Sequence, residues 1–476
     1  MPHPRSPLDL DLDTMRRLGH RVTDVVAEHL ATLRDQPVLD EIGRAEAERR
    51  IAHAPPAHGA DFDTLLATLR GRVFPHAARE PHPGFLAYVP GCPTFPAVLG
   101  DWLATGFNFF AGVWPMASGP NELELVVLDW FRQWLDMPAG SGGILTSGGS
   151  AATLTAMIAA RDGVAREDPA RIARLTVYLS DQTHSAAARA AWIAGIPRDH
   201  VRVIASDDGF RLPPGALAAA IARDREAGLT PLAVIANAGT TNTGAVDPLH
   251  AVADLCARER LWLHVDAAYG GFSALTARGR AALAGIGRAD SVTLDPHKWL
   301  YVPFECGCLL VRDPRRLRAA FQVRPDYLED TIAGGEAVSF ADYGEQLTRY
   351  SRAIKVWLGV SYFGTDALAA AIDAALAVAD HAERLVRERA GLEVLAPATL
   401  GILCFRVHLA GVDDPAELDA LNERVTDAVV RKGRFLIATT RIRGALALRI
   451  CPIGFRTTTT DIEELLDEIM ELARSR

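Results

Sequence analysis

The chain has 476 residues, too many for one small core, which predicts two or three packed units. Hydrophobic residues make up 49% and charged residues 23%, and the net charge of −9 argues against nucleic acid or anionic membrane as a main partner. The six cysteines, Cys92, Cys256, Cys306, Cys308, Cys404 and Cys451, form no CxxC pair. With no charged-then-apolar N-terminal segment and no apolar run near the ~20 residues that span a bilayer, a reduced, cytoplasmic protein is expected.

The first ten residues are Pro-rich. From Asp13 to Leu33 the apolar positions Met15, Leu18, Val22, Val25, Val26 and Leu30 recur at helical spacing. A second helix is expected over Asp40–His53, ended by Pro55-Pro56, and a third after the N-cap Asp61. Residues 1–80 therefore read as a separate helical segment, closed by Pro81-His82-Pro83-Gly84. Short β-rich runs follow at Thr176–Leu179, Val201–Ile204, Leu232–Ala236, Leu261–Val265, Ser291–Leu294 and Cys308–Val311. Helical stretches such as Leu217–Arg225 and Leu249–Arg258 lie between them. That alternation predicts an α/β domain over 81–365 with a mostly parallel sheet covered on both faces. Beyond Gly364, a helix at Ala367–Arg389, alternating strands and a last helix at Asp461–Ala473 predict a smaller α+β domain over 366–476.

Ligands of such sheets bind beyond the carboxyl ends of the strands, and four groups of residues fall there. Thr146-Ser147-Gly148-Gly149-Ser150 precedes a helix whose first N–H groups suit an anion, although alone it reads as a loop with an N-cap. His184, after the run Thr176–Leu179, is by itself an ordinary loop histidine. Asp266 ends a buried strand and needs a partner to offset its desolvation: a protonated pyridine nitrogen, a structural cation, or a metal shared with His264. Lys298 follows Asp295-Pro296-His297 and precedes Trp299-Leu300-Tyr301-Val302. Partial desolvation there favours the neutral amine, a nucleophile for carbonyls, whereas the segment alone reads as a surface lysine in a loop. A phosphate cradle, a stacking histidine, a carboxylate for a ring nitrogen and a Schiff-base lysine are together what pyridoxal 5'-phosphate (PLP) requires.

The segments His82-Pro83-Gly84-Phe85-Leu86-Ala87-Tyr88, Asn121-Glu122-Leu123-Glu124, Asp181-Gln182-Thr183-His184-Ser185, Gly239-Thr240-Thr241, His264-Val265-Asp266-Ala267-Ala268-Tyr269 and Pro296-His297-Lys298-Trp299 make the chain resemble the group II PLP-dependent amino-acid decarboxylases, the family of aromatic L-amino-acid decarboxylase. The resemblance runs from about residue 10 to the C-terminus. It implies a fold-type-I PLP enzyme that is a homodimer with interface active sites and N-terminal helices exchanged between subunits. It further implies that Lys298 forms the Schiff base, Asp266 pairs with the pyridinium nitrogen, and His184 stacks on the ring. By the same resemblance Gly148, Gly149 and Ser150 hold the phosphate, Thr241, Ala268 and His297 adjoin the cofactor, and Arg456 lies near the site. The implied reaction turns an L-amino acid into its amine and CO2, with the ring nitrogen as electron sink and a general acid returning a proton to Cα.

Two positions depart from the family's pattern. Asp295 stands where the family has an asparagine beside the phosphate, and a carboxylate there repels phosphate unless turned away or protonated. The family's acid is a loop tyrosine, and counting back from Arg352 puts Phe340 there without gaps or Tyr343 after a three-residue deletion. Tyr343 implies decarboxylation and Phe340 an oxygen-consuming aldehyde synthase; Tyr343 as a plain packing residue is the alternative. The aligned substrate-pocket positions are Tyr88, Val89, Gly91, Phe110, Gly112 and Phe304, which favour an aromatic acid such as tryptophan, Dopa or tyrosine. A PLP-binding protein without catalysis is the remaining expectation.

Overall fold

The computed structural model describes residue 6, residues 8–323 and residues 337–475. The chain opens with α1 (Leu12–Ala31), α2 (Arg44–Ile51) and α3 (Phe62–Arg72). Asp11 and Asp61 cap α1 and α3 by accepting the N–H groups of Thr14 at 2.8 Å and Thr64 at 3.1 Å. None of the three helices has a core of its own, since α1 and α2 bury no residue and α3 buries Leu66 alone. Ion pairs Arg21–Asp63 and Arg70–Glu28 join α1 to α3.

Two helices absent from the sequence expectation, α4 (Phe95–Phe107) and α5 (Ser118–Trp134), lead into the large sheet. Its elements are β1 (Gly142–Thr146), α6 (Gly149–Ala165), β2 (Leu175–Ser180), α7 (Ser185–Ile193), β3 (Val201–Ile204), α8 (Pro214–Glu226), β4 (Thr230–Asn237) and α9 (Leu249–Glu259). Then come β5 (Trp262–Asp266), α10 (Ala277–Ala282), β6 (Ser291–Leu294), β7 (Gly307–Val311) and α11 (Arg315–Phe321). The seven strands lie in the order β1-β7-β6-β5-β4-β2-β3, and β7 alone runs antiparallel to its neighbours. Every residue of β2, β6 and β7 is buried, as a sheet covered on both faces demands. Strand β1 was not expected because its start, Gly142-Gly143, lacks β-formers. Gly143 is there for closeness: a Cβ on it would stand 1.8 Å from the Leu309 carbonyl oxygen of β7.

The small domain follows α12 (Ala353–Glu388), whose helical geometry breaks at Gly364 with φ of 78°. Helix α12 is long and apolar enough to cross a bilayer, contrary to the sequence reading. Here Val356, Leu368, Ile372, Leu376 and Val386 of α12 are instead buried against protein. Strands β8 (Leu392–Thr399), β9 (Ile402–Val407), β10 (Ala438–Ile442) and β11 (Ala445–Ile450) form an antiparallel sheet in the order β10-β11-β9-β8. Helices α13 (Pro415–Lys432) and α14 (Thr459–Arg474) pack on it, α14 opening with a Thr458–Asp461 capping box. Just past residue 81 the chain contacts the small domain. Leu86 is buried in the small domain's core with Phe405, Ile450 and Leu466, and its N–H donates to the Leu436 carbonyl at 2.8 Å.

Candidate active site

A cavity of about 920 Å³ opens beyond the carboxyl ends of β1, β2, β4, β5 and β6. Ser147, Gly148, Gly149 and Ser150 line it at the start of α6. The wall here is backbone. A Cβ on Gly149 would stand 3.1 Å from Ala268 Cβ, and one on Gly307 of β7 would stand 2.4 Å from Gly148 Cα. Glycines at these points let the first N–H groups of α6 reach an anion closely, with the helix dipole adding to them.

His184 caps α7, its Nδ1 accepting the Ala186 N–H at 3.2 Å, and its ring lines the cavity. Asp266 ends β5 and takes the Ala268 N–H on Oδ1 at 3.1 Å. Burial pushes its carboxyl above the ordinary range, against the opposing charge of Lys298. A cationic ring nitrogen is a partner suited to that carboxylate. His264 offers no lone pair to a metal, because Nδ1 meets Ser291 Oγ at 2.8 Å and Nε2 meets Thr293 Oγ1 at 3.2 Å. Burial lowers its imidazole to about 3, so the ring is neutral. The His264–Asp266 metal reading is thereby removed.

Lys298 lies in the turn after β6, and its Nζ is 2.9 Å from Asp295 Oδ2. Asp295 therefore turns its charge to the lysine. The carboxylate is 3% exposed, and its Oδ1 is buried without a hydrogen-bond partner. His297 also lines the cavity, its Nδ1 held 2.6 Å from the Cys306 carbonyl oxygen. Thr241, Ala268, Tyr88 and Val89 complete the expected residues found on the wall.

Six expected residues do not line the cavity of this protomer, Gly91 and Gly112 among them. The Phe304 ring is 53% exposed and tilts against His297 at 4.9 Å, outside the cavity wall. Phe110 is half-buried beside Gly112, near the start of the α4–α5 connection. Arg456 stacks over Phe455 at 4.3 Å, and its carbonyl accepts from Arg34. Tyr343 packs edge-on against Phe340 at 5.9 Å, beside Arg318 and Asp342. Tyr343 is half-buried there and is not among the residues that line the cavity of this protomer. Phe340 does not face the cavity either. It is fully buried under the Arg349 guanidinium, which pairs with Glu124 at 2.8 Å. Another tyrosine of the sequence, Tyr327, lies outside the described residues.

Among the polar wall residues that sequence reasoning missed, two tie segments together. Asn237, at the end of β4, donates to Thr183 Oγ1 at 3.1 Å and to Asp247 Oδ2 at 2.9 Å, tying the loop that carries His184 to the sheet. Arg449 of β11 donates to the carbonyls of Tyr88 and Thr241, both at 2.6 Å, joining three chain segments around the cavity. A lone charge inside Ala-Leu-Ala-Leu-Arg-Ile was the available signal, since such a residue needs buried partners.

A mostly parallel α/β sheet with a lysine, a buried carboxylate, a histidine and an anion cradle at its strand ends defines a fold-type-I PLP enzyme. The site suits the cofactor on its own terms: the glycine-walled cradle fits a phosphate, and Asp266 fits a ring cation. Residues 46–408 match the family model described as the pyridoxal-dependent decarboxylase conserved domain, and the chain belongs to that family. It is 37% identical over 467 residues to an aromatic-L-amino-acid decarboxylase of Bacillus atrophaeus, covering 98% of this chain and 97% of that one. It is 32% identical over 455 residues to a phenylacetaldehyde synthase of Arabidopsis thaliana, covering 94% and 92%. Among solved structures, an Oryza sativa TDC with PLP and tryptamine superposes with a TM-score of 0.94 at 30% identity, covering 99% of both chains. The protein is a PLP-dependent carboxy-lyase that acts on an amino acid.

Proposed function

We propose that this carboxy-lyase converts an aromatic L-amino acid to its amine and CO2, as a cytoplasmic homodimer. The observation that carries the reading is the convergence of Lys298, Asp266, His184 and the Gly148–Ser150 cradle on one cavity. Its volume of about 920 Å³ holds a cofactor and an aromatic side chain together. The two arginines on the described wall are already engaged, Arg441 with Asp419 at 2.8 Å and Arg449 with backbone carbonyls. A second substrate carboxylate has no free guanidinium there, which disfavours acidic amino acids. Decarboxylases and aldehyde synthases both occur among the relatives, but Phe340 is sealed in the core and lends no support to aldehyde chemistry.

Bound PLP supplies the sink for the electrons released from the Cα–carboxyl bond. The residues of the chain do the rest. The α6 N–H groups and Ser150 would bind the phosphate, Lys298 would anchor the cofactor covalently, and Asp266 would hold positive charge at the ring nitrogen. His184 and Ala268 bound the space for the ring, while Tyr88 and Val89 border the substrate's side chain.

The dimer reading rests on surfaces this protomer leaves uncovered. Leu12 and Met15 of α1 are 56% and 51% exposed, and Trp102 and Phe107 of α4 are 47% and 69% exposed. Apolar faces of this kind mark an interface. All six cysteines are free and buried, which supports a reducing compartment.

The test is an absorbance spectrum of the purified protein, followed by CO2, amine and H2O2 assays over the twenty amino acids and Dopa. A cofactor band lost in Lys298→Ala, with CO2 and amine from an aromatic acid and no H2O2, is the expected result. CO2 matched by H2O2 would replace decarboxylation with aldehyde synthesis. Turnover of glutamate or aspartate in preference to aromatic acids would overturn the substrate class.

A further inference from the structure

Among the described residues, Asp295 brings a carboxylate to the anion cradle. A Cβ on Gly149 would stand 3.2 Å from its Oδ2, so the carboxylate borders the backbone that receives a phosphate. Oδ2 also holds the Lys298 ammonium at 2.9 Å and lies 3.7 Å from His297 Nε2. Oδ1 is buried with no hydrogen-bond partner. Two demands follow from these contacts. A carboxylate next to an arriving phosphate repels it, and Lys298 must lose its ammonium proton before it can bond to a carbonyl carbon.

One proton transfer meets both demands. We propose that Asp295 is a proton-accepting positioning residue, which takes the Lys298 proton as the cofactor's phosphate enters the cradle and then donates that proton in a hydrogen bond to a phosphate oxygen. The N–H bond at Lys298 Nζ breaks and an O–H bond at Asp295 forms, so the pair is neutral overall before and after. The freed amine lone pair attacks the aldehyde carbon of PLP, and water leaves. A carboxylic acid then faces the phosphate. The charged and titratable groups around Asp295 are His297 and Lys298 from its own turn, Asp266 from β5, and Cys306 and Cys308 from the stretch entering β7. Lys355 of α12 acts more distantly, through His297. None of these offers a second acceptor within hydrogen-bond distance of Lys298 Nζ.

The test reads cofactor affinity, not turnover. PLP is titrated spectroscopically into the full-length protein and into Asp295→Asn and Asp295→Ala, from about pH 6.5 to about pH 8.5. Wild-type affinity should fall as the shared proton is lost at high pH. Asp295→Asn, whose amide donates without a proton to lose, should bind about tenfold tighter than wild type at the upper end and show a flatter profile. Asp295→Ala, with no donor, should bind more weakly than Asp295→Asn throughout, and thermal melting confirms that each variant is folded. Parallel wild-type and Asp295→Asn profiles would overturn the proposal, and so would equal affinities of the Asn and Ala variants. A wild-type affinity that does not change with pH overturns it without recourse to any variant.

Discussion

The strand-end site and the N-terminal helices were built by opposite strategies. Around the cavity nearly every polar side chain has a partner within the same protomer, as Asn237, His264, Asp295 and Arg449 show. Helices α1–α3 bury one residue between them and are held by exposed ion pairs, each worth about 1 kcal/mol or less. The contrast teaches that the described site is organised within one chain, whereas the helices leave apolar surface uncovered. Covering that surface stabilises by roughly 25 cal/mol per Å² of apolar area, far more than the ion pairs do.

The largest effect should come from the site's own groups. Lys298→Ala should abolish covalent cofactor attachment, read as loss of the absorbance band. Asp266→Ala should keep the cofactor attached yet slow CO2 release by about 10²–10³-fold, the usual effect of removing one electrostatic stabiliser. If turnover survived Asp266→Ala unchanged, the assignment of that carboxylate to the ring nitrogen would fall. Next in size is the cradle. Gly307→Ala drives a methyl to within 2.4 Å of Gly148 Cα, and should weaken PLP binding about tenfold and cost about 1–3 kcal/mol of stability by overpacking.

On the other side of the comparison, Leu12→Asp with Met15→Asp should shift the protein from dimer to monomer in sedimentation while leaving the large-domain fold intact by circular dichroism. A protein that is monomeric before substitution would remove the contrast altogether. Smaller still is the pH response of the core. His264 is held neutral by burial at about 3, well below the unfolded imidazole, so the unfolded chain binds the extra proton. Stability should therefore be full above about pH 6.5 and decline as pH falls from there towards about 3, by up to about 1.4 kcal/mol per unit. His264→Asn should flatten that part of a denaturation-versus-pH curve. The smallest expected change is at Tyr343, where substitution by Phe should leave the ratio of CO2 to H2O2 unaltered. A rise in H2O2 would mean that the phenol reaches substrate in an arrangement other than this one.

Much of the fold was legible because periodicity and caps are local. Strands β3 and β6 were placed to the residue, α1 and α9 within about two residues, and α3 starts after its expected cap Asp61, since buried runs and Asp caps act over a few positions. Strand β1 was not, because its glycines are explained only by the Leu309 carbonyl across the ladder. Lys298, Asp266 and His184 were readable from their strand-end positions and from the motifs around them. Phe110, Phe304, Tyr343 and Arg456 were named by position in a pattern, and position along the chain does not say which way a ring points.

What the sequence determined alone is thus the cofactor chemistry: which residue types stand at which strand ends, and hence a PLP site with its lysine, carboxylate, histidine and cradle. Tertiary structure decided the rest. It turned Asp295 towards Lys298, drew Leu86 into the small domain, set Arg449 across Tyr88 and Thr241, and sealed Phe340 beneath Arg349. The physical reason is range. Caps and periodicity act between residues a few positions apart, whereas each of these contacts joins segments that meet only once the sheets and helices have packed.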